Sequence, residues 1–95
     1  MSANEIPIAV FPLGRLVATP NVLQQVCQED ILAGIKRHHA GDWGDLDEED
    51  RRTNDVCLRN GGRLLSVYHS STGIKFYIIT EADRSVTTVL LPEDY

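Results

Sequence analysis

Two adjacent imidazoles, His38-His39, stand directly before the densest charge in the chain. Asp42, Asp45, Asp47, Glu48, Glu49 and Asp50 follow within nine residues with no basic side chain between them. One reading makes this run a solvated loop and a favourably charged helix start. A second makes Asp42, Asp45, Asp47, Glu48 and Asp50, with Trp43, a partner-binding surface whose spaced carboxylates imitate phosphates and occupy a partner's groove. A divalent-metal site is a third, although the usual calcium-loop spacing, with its glycine and closing glutamate, is missing. Trp43, the only tryptophan, is either a core plug that fixes the loop or an exposed anchor for a partner.

His38 and His39 suit general acid–base work at an ordinary pKa of about 6.5, or serve as charges at a helix end. A histidine facing Lys75, Arg84 and Thr88 across a curved sheet would make a metal-independent ribonuclease site. The imidazole would move the 2′-hydroxyl proton and the cations would stabilise the phosphorane. Tyr68, His69, Thr80, Glu81, Asp83 and Thr87 lie on or between the same strands. These residue types also line ordinary solvent faces, so the two readings stand side by side.

Cys27 and Cys57 are thirty residues apart and form no CxxC. They read as small buried hydrophobes, with a zinc site shared with His38 and His39 as the alternative. No P-loop, GxGxxG, GxSxG or HExxH occurs, so nucleotide-dependent and standard hydrolase chemistries have no support; no cofactor and no metal site is expected.

The 95 residues carry a formal charge of −5, with 42 % hydrophobic and 24 % charged side chains. That composition belongs to a soluble globular chain the size of one small α+β domain, residues 1–95. The acid excess argues against direct nucleic-acid binding, which needs a basic face. No stretch approaches the ~18 apolar residues of a membrane span. Met1-Ser2-Ala3-Asn4-Glu5 lacks a basic leader segment, so a cytoplasmic location is expected. A core this small leaves room for a homodimer.

The elements that must hold these groups follow from local signals. Residues 6–18 read as two extended pieces around a Pro-x-Gly turn, confined by Pro7 and Pro12 to a sheet edge or to isolated extended chain. Thr19-Pro20 starts a helix carrying Val22, Leu23, Val26 and Cys27. A second helix spans Glu29–His39, with acids first, bases last and Ile31, Leu32 and Ile35 buried. Gly34 weakens it by roughly 1 kcal/mol, so packing must hold it. Asp45 and Glu48 have capping-box spacing for a third helix that ends at Asn60-Gly61-Gly62. Arg63–Ser70, Ile74–Thr80 and Val86–Leu91 then alternate as three short strands of an antiparallel meander. The expected class is α+β: about three short helices on one face of a small antiparallel sheet, with an N-terminal edge strand.

Several long stretches together resemble one family. They are Phe11-Pro12-Leu13-Gly14 with Val17-Ala18-Thr19-Pro20, Arg37-His38-His39-Ala40-Gly41-Asp42-Trp43-Gly44-Asp45-Leu46, Asn54, Gly61-Gly62-Arg63-Leu64-Leu65-Ser66, and Ile78-Ile79-Thr80-Glu81-Ala82-Asp83-Arg84-Ser85 with Thr87-Thr88. The family is the small plasmid- and integrative-element-borne proteins of proteobacteria, often labelled "plasmid-related protein" or a type I restriction subunit. The resemblance covers nearly the whole chain and implies a context rather than a chemistry. Accessory genes of mobile elements blunt host defences or maintain the element. An acidic inhibitor of the anti-CRISPR or antirestriction type, binding a host protein or nucleoprotein complex, is the expectation. A more distant likeness, in the helix-then-antiparallel-sheet order and the placement of His and Thr, is to the barnase–EndoU–colicin–RelE ribonuclease fold.

Overall fold

A computed structural model describes residues 10–95. Strand β1 (Arg15–Ala18) leads into helices α1 (Pro20–Gln25), α2 (Gln28–His39) and α3 (Glu48–Asn60). Strands β2 (Leu64–His69), β3 (Lys75–Thr80) and β4 (Val86–Leu90) follow, and a 3-10 turn over Pro92–Asp94 closes the chain. This is the expected α+β architecture. Of the expected extended pieces, residues 6–9 lie outside the described residues, and the second is β1.

The sheet order is β1-β4-β3-β2. The meander is antiparallel, as its short connections require, with Tyr68 opposite Phe76 and Ile79 opposite Thr88. β1 pairs parallel to β4, Arg15 opposite Val86 through Ala18 opposite Val89. A parallel partner demands a long crossover, and the three helices supply it.

Alternation along the strands divides the sheet into two faces. Leu64, Ser66, Tyr68, Phe76, Ile78, Thr80, Thr87 and Val89 share the buried, helix-covered one. Val22, Val26 and Ile31 of the helical layer pack there against Tyr68, Phe76, Ile78 and Val89. Gly34 is the point of closest approach: a Cβ would lie 3.2 Å from both Phe76 and Ile78 side chains. The glycine that weakens α2 in isolation is thus what lets it seat. Thr19 caps α1, its hydroxyl accepting from the Val22 amide.

Three expectations are corrected. Leu32 is exposed, because the buried stripe of α2 runs through Ile31, Gly34 and His38 and leaves position 32 facing away. Cys27 is exposed, because it is the N-cap residue of α2 rather than part of an apolar stripe, and Cys57 is only half-buried. The cap of α3 is Asp47, whose carboxylate accepts from the Asp50 amide at 2.8 Å, so Asp45 and Glu48 form no capping box. Asp45 is diverted because its backbone is already committed to the sheet. The Asp45 amide donates to Val67 O at 2.7 Å, and the Val67 amide donates to Trp43 O at 3.2 Å. Residues 43–45 therefore lie along the outer edge of β2, with an isolated parallel bridge from Gly44 to Val67. Gly44 has φ +74 and presses so closely on β2 that a Cβ would overlap Val67 O and the Tyr68 ring.

Trp43 is 3 % exposed in a second core with Phe11 and Leu64, and its indole N–H donates to Asp55 at 3.1 Å. It is the plug, not the anchor. Trp43→Ala should lower stability by ~3–5 kcal/mol, the usual range for a core aromatic, in urea unfolding. A loss below ~1 kcal/mol would place the ring outside the core.

Candidate binding groove on the far face of the sheet

His38, at the end of α2, is completely buried against the covered face. Its Nδ1 lies 2.6 Å from the Ser66 hydroxyl and its Nε2 2.8 Å from that of Thr80. Thr80 in turn lies 2.7 Å from the Thr87 hydroxyl, which donates to Leu13 O at 2.7 Å. The carbonyl can only accept, so it fixes every proton in the row. Thr87 gives its proton to Leu13, Thr80 gives its own to Thr87, His38 donates from Nε2 to Thr80, and Ser66 donates to Nδ1. The ring is a neutral Nε2–H imidazole with both nitrogens satisfied. Phe11 and Trp43 stand edge-on to it at 5.2 and 5.7 Å between ring centres. Burial, aided by the charges of His39 and Arg84, depresses the pKa to about 4.

This placement separates the candidate ribonuclease residues. His38 is sealed under the helices, and His39 is half-buried with Phe11 edge-on to it at 5.8 Å. Lys75 and Thr88 sit at alternate positions, on the far face of the sheet. Arg84 donates to Gly62 O and, at 3.1 Å, to Cys57 O, closing the end of α3. Those five do not meet around any one substrate. The zinc alternative fails on length, because Cys27 and His38 lie at opposite ends of a 12-residue helix, about 16 Å apart at 1.5 Å per residue. Among the described residues, no group of three or more His, Cys, Asp or Glu is placed to hold a metal ion.

The acidic run is also divided. Asp42 is structural: Arg37 donates to it at 2.8 Å and the Gly44 amide at 3.2 Å, and these partners hold its pKa below the usual carboxyl range. Its carbonyl accepts from the Tyr68 hydroxyl, whose pKa burial pushes up to about 12. Glu48 pairs with Arg52 one turn along α3 at 3.3 Å, an exposed contact of little energetic weight. Asp45, Asp47 and Asp50 converge instead on one feature.

That feature is a groove of about 360 Å³ on the far face of the sheet, beside the start of α3. Leu46, Leu65 and Val67 supply its apolar lining, with Tyr77 as the aromatic wall. The three carboxylates line the α3 side, and His69 and Lys75, opposite each other in the β2–β3 ladder, complete the lining. His69 Nδ1 lies 2.7 Å from the Asp45 carboxylate. Arg51 braces the loop above by donating to Leu46 O at 3.0 Å and to Gly44 O. His69 and Tyr77 are the site residues that the run of acids did not announce. Strand alternation was the available signal: 65, 67 and 69 must face the same way as 75 and 77.

No family model matches this chain, and no characterised protein or solved structure matches it either. No helix among the described residues is long and apolar enough to cross a membrane.

The buried imidazole predicts a pH dependence. Above pH 6.5 His38 is neutral in both folded and unfolded chains, and its contribution is intact. Between pH 6.5 and about 4 only the unfolded chain takes the proton, so stability should fall by roughly 3 kcal/mol in total across that window. Asp30, Asp42, Asp83 and Asp94 are held below their ordinary value of 3.8 by hydrogen bonds, so their contribution is lost only at lower pH. Urea unfolding from pH 7 to 4.5 should show the loss. A flat profile there would mean His38 is not buried as a neutral ring.

Proposed function

We propose that this protein acts by non-catalytic binding to another protein, through the groove between the start of α3 and the far face of the sheet. One observation carries the reading: Asp45, Asp47 and Asp50 are gathered by backbone-anchored elements around an apolar floor. The histidine most suggestive of catalysis is meanwhile spent on internal hydrogen bonds. Anchored carboxylates beside apolar surface combine a desolvating contact with charge selection, as a recognition surface requires. The net charge of −5 accords with this. The resemblance to small proteins of plasmids and integrative elements supplies the setting. In that setting the protein is an accessory factor in the cytoplasm whose partner is a host protein or nucleoprotein complex, with inhibition of a defence complex as its task.

A second reading, a metal-independent ribonuclease, draws on the His69–Asp45 pair beside Lys75. A carboxylate on Nδ1 orients an imidazole for proton transfer. Against it, three carboxylates line the groove that an RNA phosphate would enter, and one ammonium does not outweigh them.

Capture from a proteobacterial host lysate separates the two. The native chain should retain a protein partner that the Asp45→Asn, Asp47→Asn, Asp50→Asn chain loses while its circular dichroism and thermal midpoint stay unchanged. Capture undiminished by those changes would refute the groove as the binding surface. Cleavage of RNA in excess chelator, abolished by His69→Ala, would establish the ribonuclease instead.

A further inference from the structure

The groove's lining specifies more than the class of partner. We infer that it receives a lysine- or arginine-bearing segment of the partner, an inference that rests on the protein-binding reading above. The apolar floor of Leu46, Leu65 and Val67 matches the methylene stem of such a side chain, and the carboxylates of Asp45, Asp47 and Asp50 meet its charged head. Asp47 and Asp50, with Asp45 already held by His69, oppose a single ammonium in the lining, so the local field favours a cation and disfavours a phosphate. Two of the carboxylates are already ordered, Asp45 by His69 at 2.7 Å and Asp47 by the Asp50 amide at 2.8 Å, so little side-chain freedom is lost on binding.

The wall of the groove carries a second mark of cation recognition. Lys75 places its Nζ 5.8 Å from the centre of the Tyr77 ring. The chain's own ammonium thus rests at the outer limit of cation–π range, where an incoming guanidinium or ammonium would sit. Lys75 is then a competitor for the site rather than a contributor to it. For a phosphate-bearing ligand its role would be reversed, because there the ammonium is the attractive group. The sign of the Lys75 effect therefore distinguishes a basic peptide from a nucleic acid. The volume, about 360 Å³, suits one or two side chains of an extended segment rather than the body of a domain.

The test uses the full chain, labelled for NMR and titrated with an acetylated, amidated peptide containing two arginines and a leucine. Saturable amide shifts are expected at residues 45–50, 65–69 and 75–77. Lys75→Gln should tighten binding by about two- to five-fold, by removing the competing cation. Asp47→Asn with Asp50→Asn should weaken it by about five-fold or more, with the fold retained because asparagine also caps a helix. No saturable shift in the groove, weaker binding by Lys75→Gln, or larger shifts with a short single-stranded RNA would each overturn the inference. Lysate capture that persists in the Asp47→Asn, Asp50→Asn chain after peptide binding is lost overturns the groove as the partner's site, and this inference with it, but not protein binding itself. RNA cleavage abolished by His69→Ala overturns the protein-binding reading itself.

Discussion

One row of hydrogen bonds decides how this small sheet is used. Ser66, His38, Thr80 and Thr87 form a relay that ends on Leu13 O, and every member except that terminal carbonyl is a buried side chain. An isolated buried imidazole would be costly, but here each ring nitrogen has a partner and each hydroxyl both gives and receives, apart from the first. The relay joins α2 to β2, β3 and β4 and ties in the segment before β1. It thereby locks the helices onto the face of the sheet that also carries the main apolar cluster. The far face is left to the C-terminal turn and the groove: Tyr95 stands edge-on to Tyr77 at 6.2 Å, and Arg63 lies over the Tyr95 ring.

The edge of β2 solves a second problem in a way that creates the site. An unpaired edge strand offers free amides and carbonyls to other chains. Here the Asn54 side chain donates to Leu65 O and accepts from the Leu65 amide, while Trp43 O and the Asp45 amide serve Val67. Anchoring the Trp43–Asp45 segment there carries Asp45 onto His69 and starts α3 with Asp47 and Asp50 above the groove. The acidic residues follow the same rule as the rest of α3: negative charge is welcome at a helix start. Their position over apolar surface is what that rule does not require.

Much of this was legible along the chain. Thr19-Pro20, the charge gradient of α2, the stop at Gly61 and the alternation of the last three strands each point to an element that forms. The buried side of α2 was legible in part: His38 lies on the stripe that runs through Ile31 and Gly34, but at a helix end the dipole equally explains a basic residue facing water. Three features depended on contacts far apart in sequence. The parallel pairing of β1 with β4 spans some seventy residues. Asp45 lost its capping role where its amide donates to Val67 O beside the Gly44–Val67 bridge, a pairing that no local pattern announces. The groove itself needs β2, β3 and the loop before α3 together, so neither the acidic run nor His69 and Lys75 revealed it alone.

The protonation state of His38 tests the account most directly, because the relay locks the helices onto one face and so leaves the other to bind. Long-range proton–nitrogen NMR correlations on labelled histidine resolve the two ring nitrogens. At pH 7 they should show His38 neutral, protonated on Nε2 and bare on Nδ1, with no titration until the pH approaches about 4. A His38 ring that titrates near 6.5, or carries its proton on Nδ1, would contradict the relay and with it the assignment of the two faces.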